Sequence, residues 1–376
     1  MFSLFSNKKK EVRSIIIDIQ SGLVRGALVL DKPNEPSTIT CVVTKSISGK
    51  SQIQNSEHLV KKMLKLIAEV VEHLARDNGR NTISHISYTL SDPWINSKLK
   101  TVKINYEKET EITTDILENI IKEELKSSSS TTDIRPVEQK IFEVRLNGYP
   151  AVMFQGKKAH TLEVSLSTSF GSSQFLDKVY DTISKHVHVK KHNIHSALLM
   201  QYIAMQEVLK NKNEYLYIHV HSELTDLIAV KDGLCKHIIS FPFGIKTVLR
   251  KVANGSNESV ETSDSLISLF QGDKLSEQEK ENMQRIITPL VHEWSDLCIK
   301  SFEGVLDINS IPRTVYLSAH SHFDLFKEAL IFQNQLNFDV IAYDSIAIGN
   351  QIKFGKGVEV SNMMRIYTFA LRNDRV

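Results

Sequence analysis

Hydrophobic and polar positions along this chain follow two periods, and each change of period marks an element. Residues 14 to 30, SIIIDIQSGLVRGALVL, read as an apolar strand, a small polar turn and a second strand. Residues 215 to 231, YLYIHVHSELTDLIAVK, repeat that pattern. A repeat of this kind predicts two related domains. Residues 38 to 48 are rich in β-branched side chains and predict a third strand. Leu59, Met63, Leu66, Ile67, Val70 and Leu74 then fall on one stripe at a period of 3.6, with lysines and glutamates opposite, so a helix is expected from Ser56 to Arg76. Residues 82 to 90 return to strand alternation, and Asp92-Pro93 ends them. The chain therefore opens β-β-β-α-β.

A smaller unit follows. Residues 99 to 106 predict a strand, residues 114 to 126 a helix opened by Thr114-Asp115, and residues 127 to 132 a low-complexity loop. Two more strands, 137 to 147 and 159 to 169, are joined by a turn around Asn147-Gly148-Tyr149-Pro150. A helix over 172 to 185, a short strand and a helix over 195 to 209 lead into the second hairpin. Asp232-Gly233 then predicts a tight turn, and a strand over 235 to 244 runs into a helix near 245 to 253. Ser276 and Glu279 form a capping box that opens a long helix, which Pro289 is expected to interrupt. Residues 314 to 323 read as a strand and turn, and the closing VSNMMRIYTFALRNDRV as a last packed element.

This order of elements, with Asp18, Ser21 and Gly22 in the first hairpin, resembles the actin/Hsp70-like ATPase superfamily. Within it, the segment 137 to 170 is similar to the inserted subdomain of the FtsA and PilM type, the actin-like proteins of cell division and type IV pilus assembly. The resemblance implies an α/β, two-lobed actin-like (ribonuclease H-like) fold with an inserted β-α-β-β subdomain of SHS2 type. It divides the chain into a first lobe at 1–90 and 171–210, the inserted subdomain at 91–170, and a second lobe at 211–376.

The resemblance also implies a nucleotide cleft, in which Asp18, Ser21, Gly22, Thr225 and Asp226 are the matching positions and Asp18 helps to place a hydrated metal. In the second hairpin the acidic-Ile-Gly-Gly-Gly-Thr-Thr-Asp pattern reads His219, Val220, His221, Ser222, Glu223, Leu224, Thr225, Asp226, so only the final Thr-Asp is kept. Glycines serve such turns because backbone N–H groups must come close to phosphate oxygens, and a Cβ obstructs that approach. A Glu223 carboxylate about 5 Å from one phosphate charge, at an effective dielectric near 20, would add roughly 3 kcal/mol of repulsion. The adenine-side turn, Ser318 to His322, has also lost its glycines.

A degenerate ATPase is therefore expected, with no catalytic residue and with ATP/Mg bound weakly or not at all. The PilM type implies a cytoplasmic scaffold at the inner face of the cell membrane, docking short cytoplasmic tails of inner-membrane proteins in a pilus-type machine, with self-association as a further option. An FtsA-like division protein and an ATP-binding ATPase with atypical loops are the alternatives. The division relatives carry a linker and an amphipathic C-terminal helix, which the end of this sequence does not resemble.

Composition narrows the classes. A chain of 376 residues exceeds one comfortable core, and 41% hydrophobic with 24% charged residues is ordinary globular material. A net charge of +2 supplies no basic field for nucleic acid. Cys41, Cys235 and Cys298 are far apart and odd in number, which excludes a disulfide framework and a CxxC knuckle and fits a reducing compartment. No stretch reaches the roughly 20 apolar residues of a membrane span. The N-terminal MFSLFSNKKK sets Phe2, Leu4 and Phe5 before three lysines, a pattern open to a frayed terminus or to contact with an anionic membrane.

Histidines stand where the glycines are lost. His219, His221, His320 and His322 form a zinc-site alternative to simple polar drift of freed turns. The run His186, His188, His192 and His195 is a weaker metal candidate, because Lys190 and Lys191 would repel a cation. Tyr88, Trp94, Phe142 and Tyr149, in and beside the inserted unit, are candidates for minor-core packing or for a partner anchor.

Overall fold

The computed structural model describes residues 11–47, 56–128, 133–303, 306–332, 336–343, 348 and 350–373. The N-terminal MFSLFSNKKK and residues 129 to 132 of the low-complexity loop lie outside that set. The elements begin with β1 (Val12–Gln20), β2 (Leu23–Asp31), β3 (Ser37–Ser46), α1 (Ser56–Asn78) and β4 (His85–Leu90). Next come β5 (Ile95–Glu111), α2 (Thr114–Ser128), β6 (Ile134–Leu146), β7 (Tyr149–Pro150) and β8 (Lys158–Ser172). Then follow α3 (Ser173–Ser184), β9 (His192–Ser196), α4 (Ala197–Val208), β10 (Tyr215–Val220), β11 (Thr225–Lys231) and β12 (Leu234–Phe241). The chain finishes with α5 (Ile245–Ser256), α6 (Val260–Gln271), α7 (Glu277–Lys300), β13 (Thr314–Ala319), α8 (Phe323–Ile331), β14 (Asp339–Ala342), β15 (Ile352–Phe354) and α9 (Asn362–Asn373).

These elements make two compact units, one of residues 1–94, 173–208 and 344–376, the other of 95–172 and 209–343. The first holds a sheet in the order β15-β3-β2-β1-β4-β9, in which β1 pairs antiparallel with β2 and parallel with β4. The isoleucine run of β1 is buried on both faces, as a strand covered by helices on both sides must be. On one face Gly26 lies under Val70 and Leu74 of α1, whose stripe Met63, Ile67, Val70 and Leu74 is fully buried. On the other face Ser14, Ile16 and Val29 lie beside Thr368 and Leu371 of α9.

The last residues correct the division made from sequence, which kept 211–376 together. β15 pairs in parallel with β3, Ile352 to Ser37 and Phe354 to Ile39, and α9 packs against α4 and the β1–β2 hairpin. Met364, Tyr367, Phe369 and Ala370 are buried there, so the apolar face of α9 closes a face of the first unit's sheet. The segment 95–172 clusters with the second unit, where β12 lies against β5 and β6.

That segment has a four-stranded sheet of its own in the order β5-β8-β6-β7. Its β-α-β-β order is the expected one, with the two-residue β7 added. Leu162, Val164 and Leu166 of β8 and Val144 and Leu146 of β6 pack under Leu117 and Ile120 of α2. Alternation puts serines of β8 on the opposite face, where Ser97 meets Ser169 and Thr101 meets Ser165, each at 2.8 Å.

The larger sheet of the second unit runs β12-β11-β10-β13-β14. Leu216, Ile218 and Val220 of β10 face a core built with α5, α7 and α8. The capping box at Ser276 forms: its side chain accepts from Glu279 N, and the Glu279 carboxylate accepts from Ser276 N at 2.9 Å. The interruption expected at Pro289 does not occur, and α7 runs unbroken to Lys300. Pro289 sits on the exposed side, while Met283, Ile287, Leu290, Val291 and Trp294 hold the buried side.

Candidate functional site

In the first hairpin, Ser21 and Gly22 form the turn between β1 and β2, with Gly22 at φ +83, a conformation that glycine takes at no steric cost. Asp18 is directly across the strands from Arg25 and is fully buried. Its Oδ2 accepts from Gln20 Nε2 at 2.8 Å and from Arg25 Nη1 at 3.4 Å, and the Arg25 side chain is itself only 6% exposed. The acid that the resemblance assigns to a hydrated metal is thus engaged by two donors of its own hairpin. Trp94 donates its Nε1 to the Gln20 carbonyl at 3.1 Å and stacks on Phe175 at 4.1 Å, which makes it a packing residue behind the turn.

The second hairpin turn is folded onto the chain itself. His221 N donates to Leu224 O at 2.8 Å, and the carbonyls of His221 and Ser222 accept from Ile245 N and Lys246 N at 3.0 and 2.8 Å. These are the first N–H groups of α5, the donors that a helix start would otherwise offer to an anion. A Cβ on Gly244 would sit 2.6 to 2.7 Å from backbone atoms of Glu223 and Leu224. A glycine therefore still marks a close backbone approach beside this turn, but the approaching group is another segment of the same chain.

The two retained positions are buried. Thr225 Oγ1 donates to Phe243 O at 2.6 Å and accepts from Trp294 Nε1 at 2.9 Å. Asp226 accepts from Ser240 Oγ through Oδ1 and lies against His221 Nε2 through Oδ2, each at 2.6 Å. Glu223, the residue expected to repel a phosphate, takes a two-pronged contact from Arg250 at 2.9 and 3.1 Å, with Lys246 at 3.8 Å. Burial pulls the Lys246 ammonium below its ordinary range, against the opposing pull of Glu223.

The histidines of the two turns do not form one set. His219 and His221 are buried with their rings 4.1 Å apart and mutually perpendicular. His322, at φ +53, turns its nitrogens to Asp264 at 2.7 Å and Gln271 at 3.0 Å on α6. Among the described residues no group of three or more His, Cys, Asp or Glu is placed to hold a metal ion. The other histidine run is also used in packing: His192 Nδ1 lies 3.3 Å from the Tyr88 hydroxyl, and burial lowers its imidazole pKa. On the same face as His219, Tyr217 is wholly buried and Tyr215 nearly so, and burial drives both phenols well above their ordinary range, so both stay neutral.

A different feature stands out in the inserted subdomain. Its β6–β8 connection exposes Tyr149 (77%), Val152 (96%) and Met153 (80%). The backbone beneath is held: Ala151 N donates to Val144 O, Gly156 N to Ile112 O, and Asn147 Oδ1 accepts from His160 N and Thr161 N. Phe154 packs on the subdomain core. Sequence reasoning singled out Tyr149 alone; the signal for its neighbours was an apolar run, AVMF, in a stretch with turn residues on both sides.

No family model matches the sequence, and no curated protein does. Among solved structures, the chain is similar to a chain of the PilM-PilN type IV pilus biogenesis complex, at 11% identity over 96% of this chain and 98% of that one, with a TM-score of 0.62. It is also similar to a Bacteroides thetaiotaomicron protein with actin-like ATPase fold and unknown function, at 10% identity over 98% and 99%, with a TM-score of 0.41. A further likeness is to the cytoplasmic domain of EpsL, an inner membrane component of the type II secretion system of Vibrio cholerae, at 7% identity over 97% and 95%, with a TM-score of 0.43. The fold is that of the actin-like ATPases. Its particular version is PilM-like in structure.

Proposed function

We propose that this chain is a non-catalytic actin-like scaffold that docks short cytoplasmic tails of inner-membrane proteins in a type IV pilus-type machine, at the inner face of the cell membrane. The observation that carries the docking role is the trio Tyr149, Val152 and Met153, exposed on a backbone that is hydrogen-bonded at both ends. An ordered loop that keeps three apolar side chains in water is unusual unless another molecule covers them. Because the backbone is already fixed, little ordering cost remains to be met on binding. The likeness to a PilM-PilN chain supports the setting, and the internal use of Asp18, Thr225 and Asp226 supports loss of nucleotide chemistry. No helix among the described residues is long and apolar enough to cross a membrane, so attachment by docking fits the chain.

The test is the paired substitution Val152→Asp with Met153→Asp, scored by recovery of the protein on inverted inner-membrane vesicles from its own cells. Both side chains are exposed, so the melting temperature should stay within about a degree or two, as for surface changes generally. Vesicle binding should fall at least about tenfold, the loss of roughly 1.4 kcal/mol. Unchanged binding by a cooperatively folding variant would place docking elsewhere and remove the main support for the reading.

A further inference from the structure

We infer that β14 is a self-pairing edge, through which two copies of this chain join their second-unit sheets into one. This goes beyond the docking role and does not depend on it. Among the described residues β14 ends the sheet and pairs only with β13. Asp339 N donates to Arg313 O at 2.9 Å and Tyr343 N to Leu317 O at 2.7 Å, so residues 339, 341 and 343 turn their polar backbone groups inward. Strand alternation then directs the N–H and C=O of Val340 and Ala342 to the open edge.

The other edge strands carry devices that discourage pairing. Lys98, Lys100 and Lys103 stand on β5, Pro150 on β7, Lys236 on β12 and Lys353 on β15, while β9 carries His192 and His195. β14 has no lysine, histidine or proline, and its one charge, Asp339, stands at its first residue. After Asp339 it reads Val-Ile-Ala, with Ile341 38% exposed, and α8, which packs on it, ends at Ile331 and Phe332, 50% and 66% exposed.

The occupant that fits is a second β14, antiparallel. Val340 of one copy and Ala342 of the other form a hydrogen-bonded pair, the reciprocal pair forms with them, and the two Ile341 residues face each other across the two-fold axis as a non-hydrogen-bonded pair. This register sets Asp339 opposite Tyr343, so no two carboxylates meet. Apolar residues directly across such a pair are mutually stabilising. The two α8 helices come to the same face of the joined sheet.

The full chain should have the mass of a dimer in light scattering. Ala342→Pro removes only an outward N–H, and Ile341→Lys brings two cations together at the axis; each should halve the mass while leaving the melting transition in place. Ile341→Cys reports on register, since Cα atoms of a non-hydrogen-bonded pair are about 4.5 Å apart, within disulfide reach. Under mild oxidation it should give a reducible dimer that the wild-type chain does not give. A monomeric wild-type chain overturns the inference, as does a dimer that survives both Ala342→Pro and Ile341→Lys. A dimer that Ile341→Cys fails to cross-link overturns the two-fold register.

Discussion

Asp18, the acid at the end of the first hairpin's leading strand, is held by its own hairpin. The strand register puts Arg25 directly across from it, and both are removed from water. A carboxylate in that position holds the guanidinium that shares its burial. Asp18→Ala would leave Arg25 a buried cation without that carboxylate, a change that typically costs about 3–5 kcal/mol. Urea unfolding of the variant should show a loss of that size, and Asp18→Asn, which keeps an acceptor oxygen for Gln20, a smaller one. If Asp18 instead served to place a metal, its removal would change magnesium-nucleotide binding and spare stability.

In the second hairpin, too, a buried polar side chain holds elements together. Thr225 on β11 ties α7 to the sheet through Trp294 and ties the strand to the segment before α5 through the Phe243 carbonyl. Thr225→Val keeps the shape and removes the hydroxyl, leaving an indole N–H buried without its acceptor, at a cost of about 1–3 kcal/mol. Denaturant unfolding followed by tryptophan fluorescence would measure it, and Trp294 is one of only two tryptophans in the chain.

Elements of this kind were legible from the sequence where the pattern was long. The repeated hairpin, α1, the capping box at Ser276 and the β-α-β-β order all follow from periodicity and turn chemistry. What the pattern did not reveal is where short elements dock. β15 has three residues and joins the far edge of the first sheet, a long-range pairing that no local period encodes. Pro289 misled for a similar reason: its cost depends on which side of α7 faces water, and tertiary packing decides that. In the site, the sequence picked out two turns that lack glycine where the resemblance implies it. It did not reveal that the start of α5 and Gly244 had closed onto one of them.

Across the whole molecule, the polar groups of both hairpins of an actin-like fold hold the chain together, while exposed apolar side chains stand on the 95–172 segment and beside β14. In the proposed scaffold role, the fold persists without a nucleotide. Calorimetric titration of the protein with ATP and magnesium tests it most directly. An affinity weaker than about 100 µM is expected, less than about 5.5 kcal/mol of binding free energy. Saturable binding at low-micromolar concentration would contradict it.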